Sequence, residues 1–362
     1  MESPLKYFAD VRDPRVDRTR EHLLEEILLL TIAAVLSGAS GWNEIEDYGR
    51  TKMEWFKSFL RLPAGIPSHD TFNRVFSALD PEELEKGFVA WVASIAKLTA
   101  GEVVSIDGKA LRGTRGKKAI VHMVSAWANT NNLVLAQRRV DEKSNEITAI
   151  PKLLQALELS GTVVTIDAMG CQRSIAKQIV VRKADYILAV KENQGHLLEE
   201  IQDSFRMLTA ESVAEQIDCG HGRVERRTCS VIGDLTLLEN PFQWSSLKGL
   251  VRIQAERFHK ATGKTANETR YYITSLAPEA TRLNQAIRQH WGIENKLHWL
   301  LDVAFGEDLS RKRAGHAAQN FSLINRLALN LLKRDKISKL GVHGKRLKAG
   351  WDNNYLLKVL AN

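Results

Sequence analysis

Apolar residues recur at helical spacing through the first hundred positions, and then give way to short β-branched runs. Glu21 to Leu36 carries a broad apolar stripe that Gly38, Ser40 and Gly41 end, and Trp42 to Leu60 reads as a second helix. Leu62-Pro-Ala-Gly-Ile-Pro67 breaks the pattern. Ser68 or Asp70 can then cap a short helix through Leu79, and Asp80-Pro-Glu-Glu opens another with a cap, a first-turn proline and early acids. Helix, tight turn and helix suit a DNA-reading helix-turn-helix or a plain helical bundle.

From Gly101 the period shortens. Val103-Val-Ser-Ile-Asp107 is an apolar strand ending in a carboxylate, and Ile120 to Trp127 and Leu133 to Val140 are strands separated by the turn Asn129-Thr-Asn-Asn132. A helix around Glu146 to Leu157 precedes Thr162-Val-Val-Thr-Ile-Asp167, a second strand ending in aspartate. A helix from Gly170 to Arg182, the strand Tyr186 to Val190 and a helix from Gly195 to Met207 follow. Val213 to Leu276 is strand-like and polar, and a long helix from Glu279 to about Val303 carries Glu294. The order predicts an α/β fold, a mixed sheet covered by helices, with the polar strands inserted before the last helix.

Length and charge refine this. A chain of 362 residues suffices for two or three domains, and 44% hydrophobic residues supply a real core. The net charge of +8 is concentrated: Arg311 to Lys348 holds eleven Lys or Arg against Asp335 alone, a local +10 that leaves −2 for the rest. That excess, beginning at Arg311, Lys312 and Arg313, points to a nucleic-acid partner, the alternative being a solvated helical face. Three cysteines with no CxxC argue against disulfides and cysteine-bound zinc. Ile27 to Ala39 is too short to span a bilayer, and no signal peptide is evident, so a cytoplasmic protein without membrane association is expected.

Asp107, Asp167 and Glu294 stand out by position. Two strands ending in aspartate, if neighbours, put both acids at one sheet edge, and a helix across that edge delivers the glutamate. Three such carboxylates repel one another without cations, and two Mg²⁺ or Mn²⁺ ions make them a site for phosphoryl displacement. The residues also allow plainer roles: a turn at Asp107-Gly108, a helix cap at Asp167, and a surface position for Glu294.

The same residues carry a resemblance. Phe8-Ala-Asp-Val-Arg-Asp-Pro-Arg15, Gly65-Ile-Pro-Ser-His-Asp-Thr-Phe-Asn-Arg-Val-Phe76, Ser105-Ile-Asp-Gly-Lys109, Thr165-Ile-Asp-Ala-Met-Gly-Cys-Gln172, Val190-Lys-Glu-Asn-Gln194 and the long Arg288 to Val303 segment are similar to motifs of the DDE transposases of bacterial insertion sequences. The H-repeat-associated proteins of Rhs elements are the branch it resembles most. The resemblance implies an RNase H-like catalytic domain over 100–310 with a β-rich insertion at about 210–277. An all-α N-terminal domain over 1–99 precedes it, and a basic helical tail over 311–362 follows. It assigns catalysis and two metal ions to Asp107, Asp167 and Glu294. It implies cleavage at element ends, strand transfer into target DNA, and a homodimer assembled on double-stranded DNA at the nucleoid. Where relatives carry Tyr, Arg and Lys around the glutamate, this chain has Ile287, His290 and Leu301. Phosphate contacts are therefore expected from Lys109, Arg112, Lys191, Lys296 and His298, and from Arg223, Arg226 and Arg227 of the insertion. A nuclease without strand transfer and a catalytically dead DNA binder are the competing readings.

Overall fold

Short-range signals position the first helices. In the computed structural model, which describes residues 4–116, 120–141, 145–220 and 222–361, α1 (Leu24–Leu36), α2 (Trp42–Thr51), α3 (Met53–Lys57), α4 (His69–Ala78) and α5 (Pro81–Ile95) precede the first strand. Ser68 Oγ accepts from Thr71 N–H to cap α4, and Asp80 caps α5 at Glu82 N–H with Pro81 in the first turn. The helix expected over Trp42 to Leu60 divides at Lys52.

An antiparallel meander follows, β1 (Val103–Leu111), β2 (Val121–Ala128) and β3 (Leu133–Arg139). Next come α6 (Glu146–Gln155), β4 (Val163–Ile166), α7 (Arg173–Val181), β5 (Asp185–Val190) and α8 (Gly195–Met207). The polar segment forms β6 (Ser212–Gly220), β7 (Arg223–Ile232), β8 (Gly249–His259) and β9 (Lys264–Thr274). These four do not stand apart, because β9 pairs antiparallel with β5, giving one nine-stranded sheet of order β3-β2-β1-β4-β5-β9-β8-β7-β6. Only β1–β4 and β4–β5 are parallel.

Strand alternation divides the core between the two faces. Val103, Val163 and Ile187 face α9 (Ala280–His290), whose Leu283, Ala286 and Ile287 pack on them and on Val251 and Ile253 of β8. Val104, Ile106 and Val164 face the opposite way, with Ile150 and Leu153 of α6 and Ile175 and Ile179 of α7. After α9 a π turn (Glu294–His298) leads into α10 (Trp299–Val303), so the winding changes within the single helix expected over Glu279 to Val303.

The chain ends in α11 (Ala317–Arg334), α12 (Val342–Trp351) and α13 (Asn353–Leu360). The basic tail expected after residue 310 is instead part of the core. α11 is buried almost all round and packs against α1, α4, α5 and β3. Its Asn330 amide takes Val134 N–H at 2.9 Å and donates to Val134 O at 2.9 Å, closing the open edge of β3. Arg326 is fully buried on Glu307, and Lys345 and Arg346 are buried against backbone carbonyls, among them Leu332 O and Val35 O. Helical periodicity put these cations on faces that the rest of the chain covers. No described helix is long and apolar enough to cross a membrane.

Candidate active site

The parallel pairing of β1 with β4 runs from Val103–Val163 to Ile106–Ile166 and stops there. Asp107 and Asp167 are the next residues in register. β1 itself continues to Leu111 on β2, so Asp107 lies within a strand and not at its end, as the sequence suggested. β4 does end at Ile166, and Asp167 turns the chain: its Oδ1 accepts from Met169 N–H at 3.1 Å, capping a single helical turn. The cap and the cleft position are thus held by one side chain.

Glu294 arrives from the α9–α10 segment. Gly292 makes the close approach possible, since a methyl there would lie 2.2 Å from Asn129 Oδ1. The buried Asn129 is fixed in turn by donating to Val103 O at 3.1 Å and Ser105 Oγ at 2.8 Å. The π turn starting at Glu294 widens the helix where it passes the sheet, a distortion common at functional sites.

Asp107, Asp167 and Glu294 line one cleft of about 380 Å³, with Lys191, Arg270 and His290 among its walls. Burial raises the proton affinity of each acid. Asp107 is pushed up to about 7, first by burial and then by the negative charges of Asp167, Glu146 and Glu294. Asp167 is raised by burial, with Gly170 N–H, Met169 N–H and the Lys191 charge acting the other way. Glu294 is raised by burial against the pull of Arg270. The two nearby imidazoles are held neutral. Burial lowers His290 to about 4 while its Nδ1 sits 2.9 Å from Thr165 Oγ1. His298, 3.5 Å from Asp107 Oδ2, is lowered to about 3 by burial and by the charges of Arg326 and Lys109. Carboxylates gathered with few cations are the donor set that a hard divalent ion requires. On the surface, His196, Glu200 and Glu239 bring ligand atoms within 4.8 Å of one another, where the imidazole already bridges the two acids.

The cations expected to meet phosphate are placed unevenly. Lys191 is exposed on the cleft wall. Lys109 is not available to phosphate: it is buried, donating to Asp302 Oδ1 at 2.6 Å and Asp308 Oδ1 at 3.2 Å. Arg112 is exposed, 3.5 Å from Asp308. Arg223 and Arg227 line a second groove of about 830 Å³ with Arg257, Arg270 and Arg288, and this groove meets the first cleft at Arg270, Trp291 and Glu294. Arg227 is buried there on Asn284, while Arg226, on the other face of β7, pairs with Glu215. Arg311 is exposed. Lys312 is buried, donating to Ser40 O at 2.6 Å beneath the Phe321 ring, and Arg313 donates to Gly113 O. Two residues were missed. Arg270 stacks over Trp291 at 4.5 Å and faces Glu294, and Glu146 sits against Gly108; a polar strand and a helix start were their only sequence signals.

The profile of the family described as "Transposase DDE domain" matches residues 99–331, and one described as "DDE_Tnp_1-associated" matches residues 5–92. The chain is 42% identical to the putative transposase YncI of Escherichia coli O157:H7, over all of this chain and 95% of that protein. It is 40% identical to the H repeat-associated putative transposase YhhI of Escherichia coli K12, over 99% of this chain and 97% of that one.

Proposed function

The chain belongs to the transposase DDE domain family, and from that premise we propose that it cuts DNA and joins the freed 3′ ends to a target at Asp107, Asp167 and Glu294. The observation that carries this reading is the convergence of the three acids on one cleft where the β1–β4 register ends. The meander followed by two parallel strands, in the order β3-β2-β1-β4-β5, supports an RNase H-like core. The strands β6–β9 would then be an insertion that extends its sheet.

The donor set fits two Mg²⁺ or Mn²⁺ ions held by Asp107, Asp167 and Glu294, because all three offer carboxylate oxygen and burial discourages them from standing charged without a cation. Bound there, the ions supply charge neutralisation at the phosphate and a lowered proton affinity of the attacking hydroxyl. The protein's own groups do the rest. Arg223, Arg257 and Arg288 line a groove that can seat a phosphate backbone leading to Glu294. His298 and His290 stay neutral beside the acids, so they position and do not compensate charge. Lys191, exposed on the cleft wall with its charge acting on Asp167, is the cation for a scissile-strand phosphate.

The test is cleavage and joining of DNA bearing the ends that flank the gene, in Mg²⁺, with Asp167→Asn and Glu294→Gln beside the wild type. Nicked and joined products from the wild type, reduced at least a thousandfold (about 4 kcal/mol) in either variant, are expected. Products that survive both substitutions would remove these acids from the reaction. Cutting without joining would mark a nuclease.

A further inference from the structure

Glu146 opens α6 behind the cap Asn145, whose Oδ1 accepts from Ile147 N–H at 3.1 Å. An acid in a helix's first turn meets the positive end of the helix dipole, which accounts for its residue type. It does not account for where the carboxylate lies. A methyl group at Gly108 would fall 1.9 Å from Glu146 Oε1, 2.4 Å from Cδ and 2.9 Å from Oε2. The carboxylate therefore fills the space that any side chain at position 108 would take, one residue beyond Asp107. The negative charge of Asp167 bears on Glu146, and that of Glu146 on Asp107. Among the described residues no lysine, arginine or histidine comes within ion-pair distance of it; Lys152, on the same helix, turns to Asp141.

A half-buried carboxylate facing other acids, with no described cation at ion-pair distance, is favoured in its charged form by a cation taken from solution. We propose that Glu146 is a fourth carboxylate of the divalent-cation site of Asp107, Asp167 and Glu294, and that position 108 is glycine so that this carboxylate can reach it. The proposal rests on the reading of those three acids as a metal site. It adds a residue that lies within the 99–331 family match but outside the short motifs that carry Asp107, Asp167 and Glu294.

The experiment is a Mn²⁺ titration of the full chain without DNA, followed by the electron paramagnetic resonance of free Mn²⁺. It compares the wild type with Glu146→Gln, Gly108→Ala, the double variant and Asp107→Asn, with thermal unfolding to check each fold. Glu146→Gln is expected to weaken Mn²⁺ binding about tenfold. Gly108→Ala, which keeps the acid but pushes it aside, should weaken it similarly, and the double variant no further, since both changes remove one interaction. Should Glu146→Gln fail to fold, Gly108→Ala and Glu146→Asp carry the comparison. Wild-type binding in Glu146→Gln and Gly108→Ala, with loss in Asp107→Asn, would overturn the proposal and leave the three-acid site standing. Wild-type binding in Asp107→Asn as well would bring down both.

Discussion

Lys109 lies two residues after Asp107 on the same face of β1, and from sequence that spacing suggests a phosphate contact. Its actual partners, Asp302 and Asp308, are almost two hundred residues away, at 2.6 and 3.2 Å. No local pattern could announce them. The ion pairs tie β1 to α10 through Asp302 and to the turn after it through Asp308, so Lys109 links the strand of Asp107 to the helix that continues from the π turn of Glu294. Lys109→Met should lower stability by about 2 kcal/mol, less than a fully buried pair because Asp302 and Asp308 keep some solvent. Urea unfolding measures this as a lower midpoint at unchanged slope. An unchanged midpoint with weakened DNA binding would restore the phosphate role. Glu146 was illegible for a related reason: its meaning depends on Gly108, and no spacing rule links a helix start to a strand three elements earlier.

Elements were more legible than residues. Caps at Ser68 and Asp80, and the β-branched runs before Asp107 and Asp167, act through neighbours in the chain, and the structure keeps them. The π turn at Glu294 is different, because it arises where the helix must pass Asn129 of the β2–β3 turn, a tertiary demand. Gly292 marks that contact. Gly292→Ala would drive a methyl against Asn129 Oδ1, and Asn129 cannot retreat without giving up its bonds to Val103 O and Ser105 Oγ. The expected cost is about 2 kcal/mol. Glu294 should shift with the helix, lowering the rate of DNA cleavage more than tenfold while DNA affinity changes little. Thermal unfolding and single-turnover cleavage read the two effects separately. A variant with lowered stability and full cleavage would show that the helix tolerates the displacement.

At the scale of the molecule, charge was the property that sequence described well and located poorly. The excess of +10 between Arg311 and Lys348 suggested a basic tail, yet Lys312, Arg326, Lys345 and Arg346 are buried on internal acceptors. Composition cannot separate a cation that faces solvent from one that fixes a helix to its neighbours. Cations that both face an open groove and run toward Glu294 come instead from β7–β9 and α9, with Lys296 of the π turn at the Glu294 end. Strand alternation sorts them: Arg223 is exposed in that groove, while Arg226 lies on the opposite face of β7, 3.0 Å from Glu215. If DNA follows the groove, each phosphate it neutralises releases counterions, and binding falls with salt in proportion. Arg223→Ala should therefore make the slope of log affinity against log salt shallower by about 0.9, whereas Arg226→Ala should leave it unchanged. Fluorescence anisotropy with duplex DNA over a range of NaCl measures both slopes. Equal slopes for the two variants and the wild type would move the DNA path off this groove, and a change in Arg226→Ala alone would put it on the other face of the sheet.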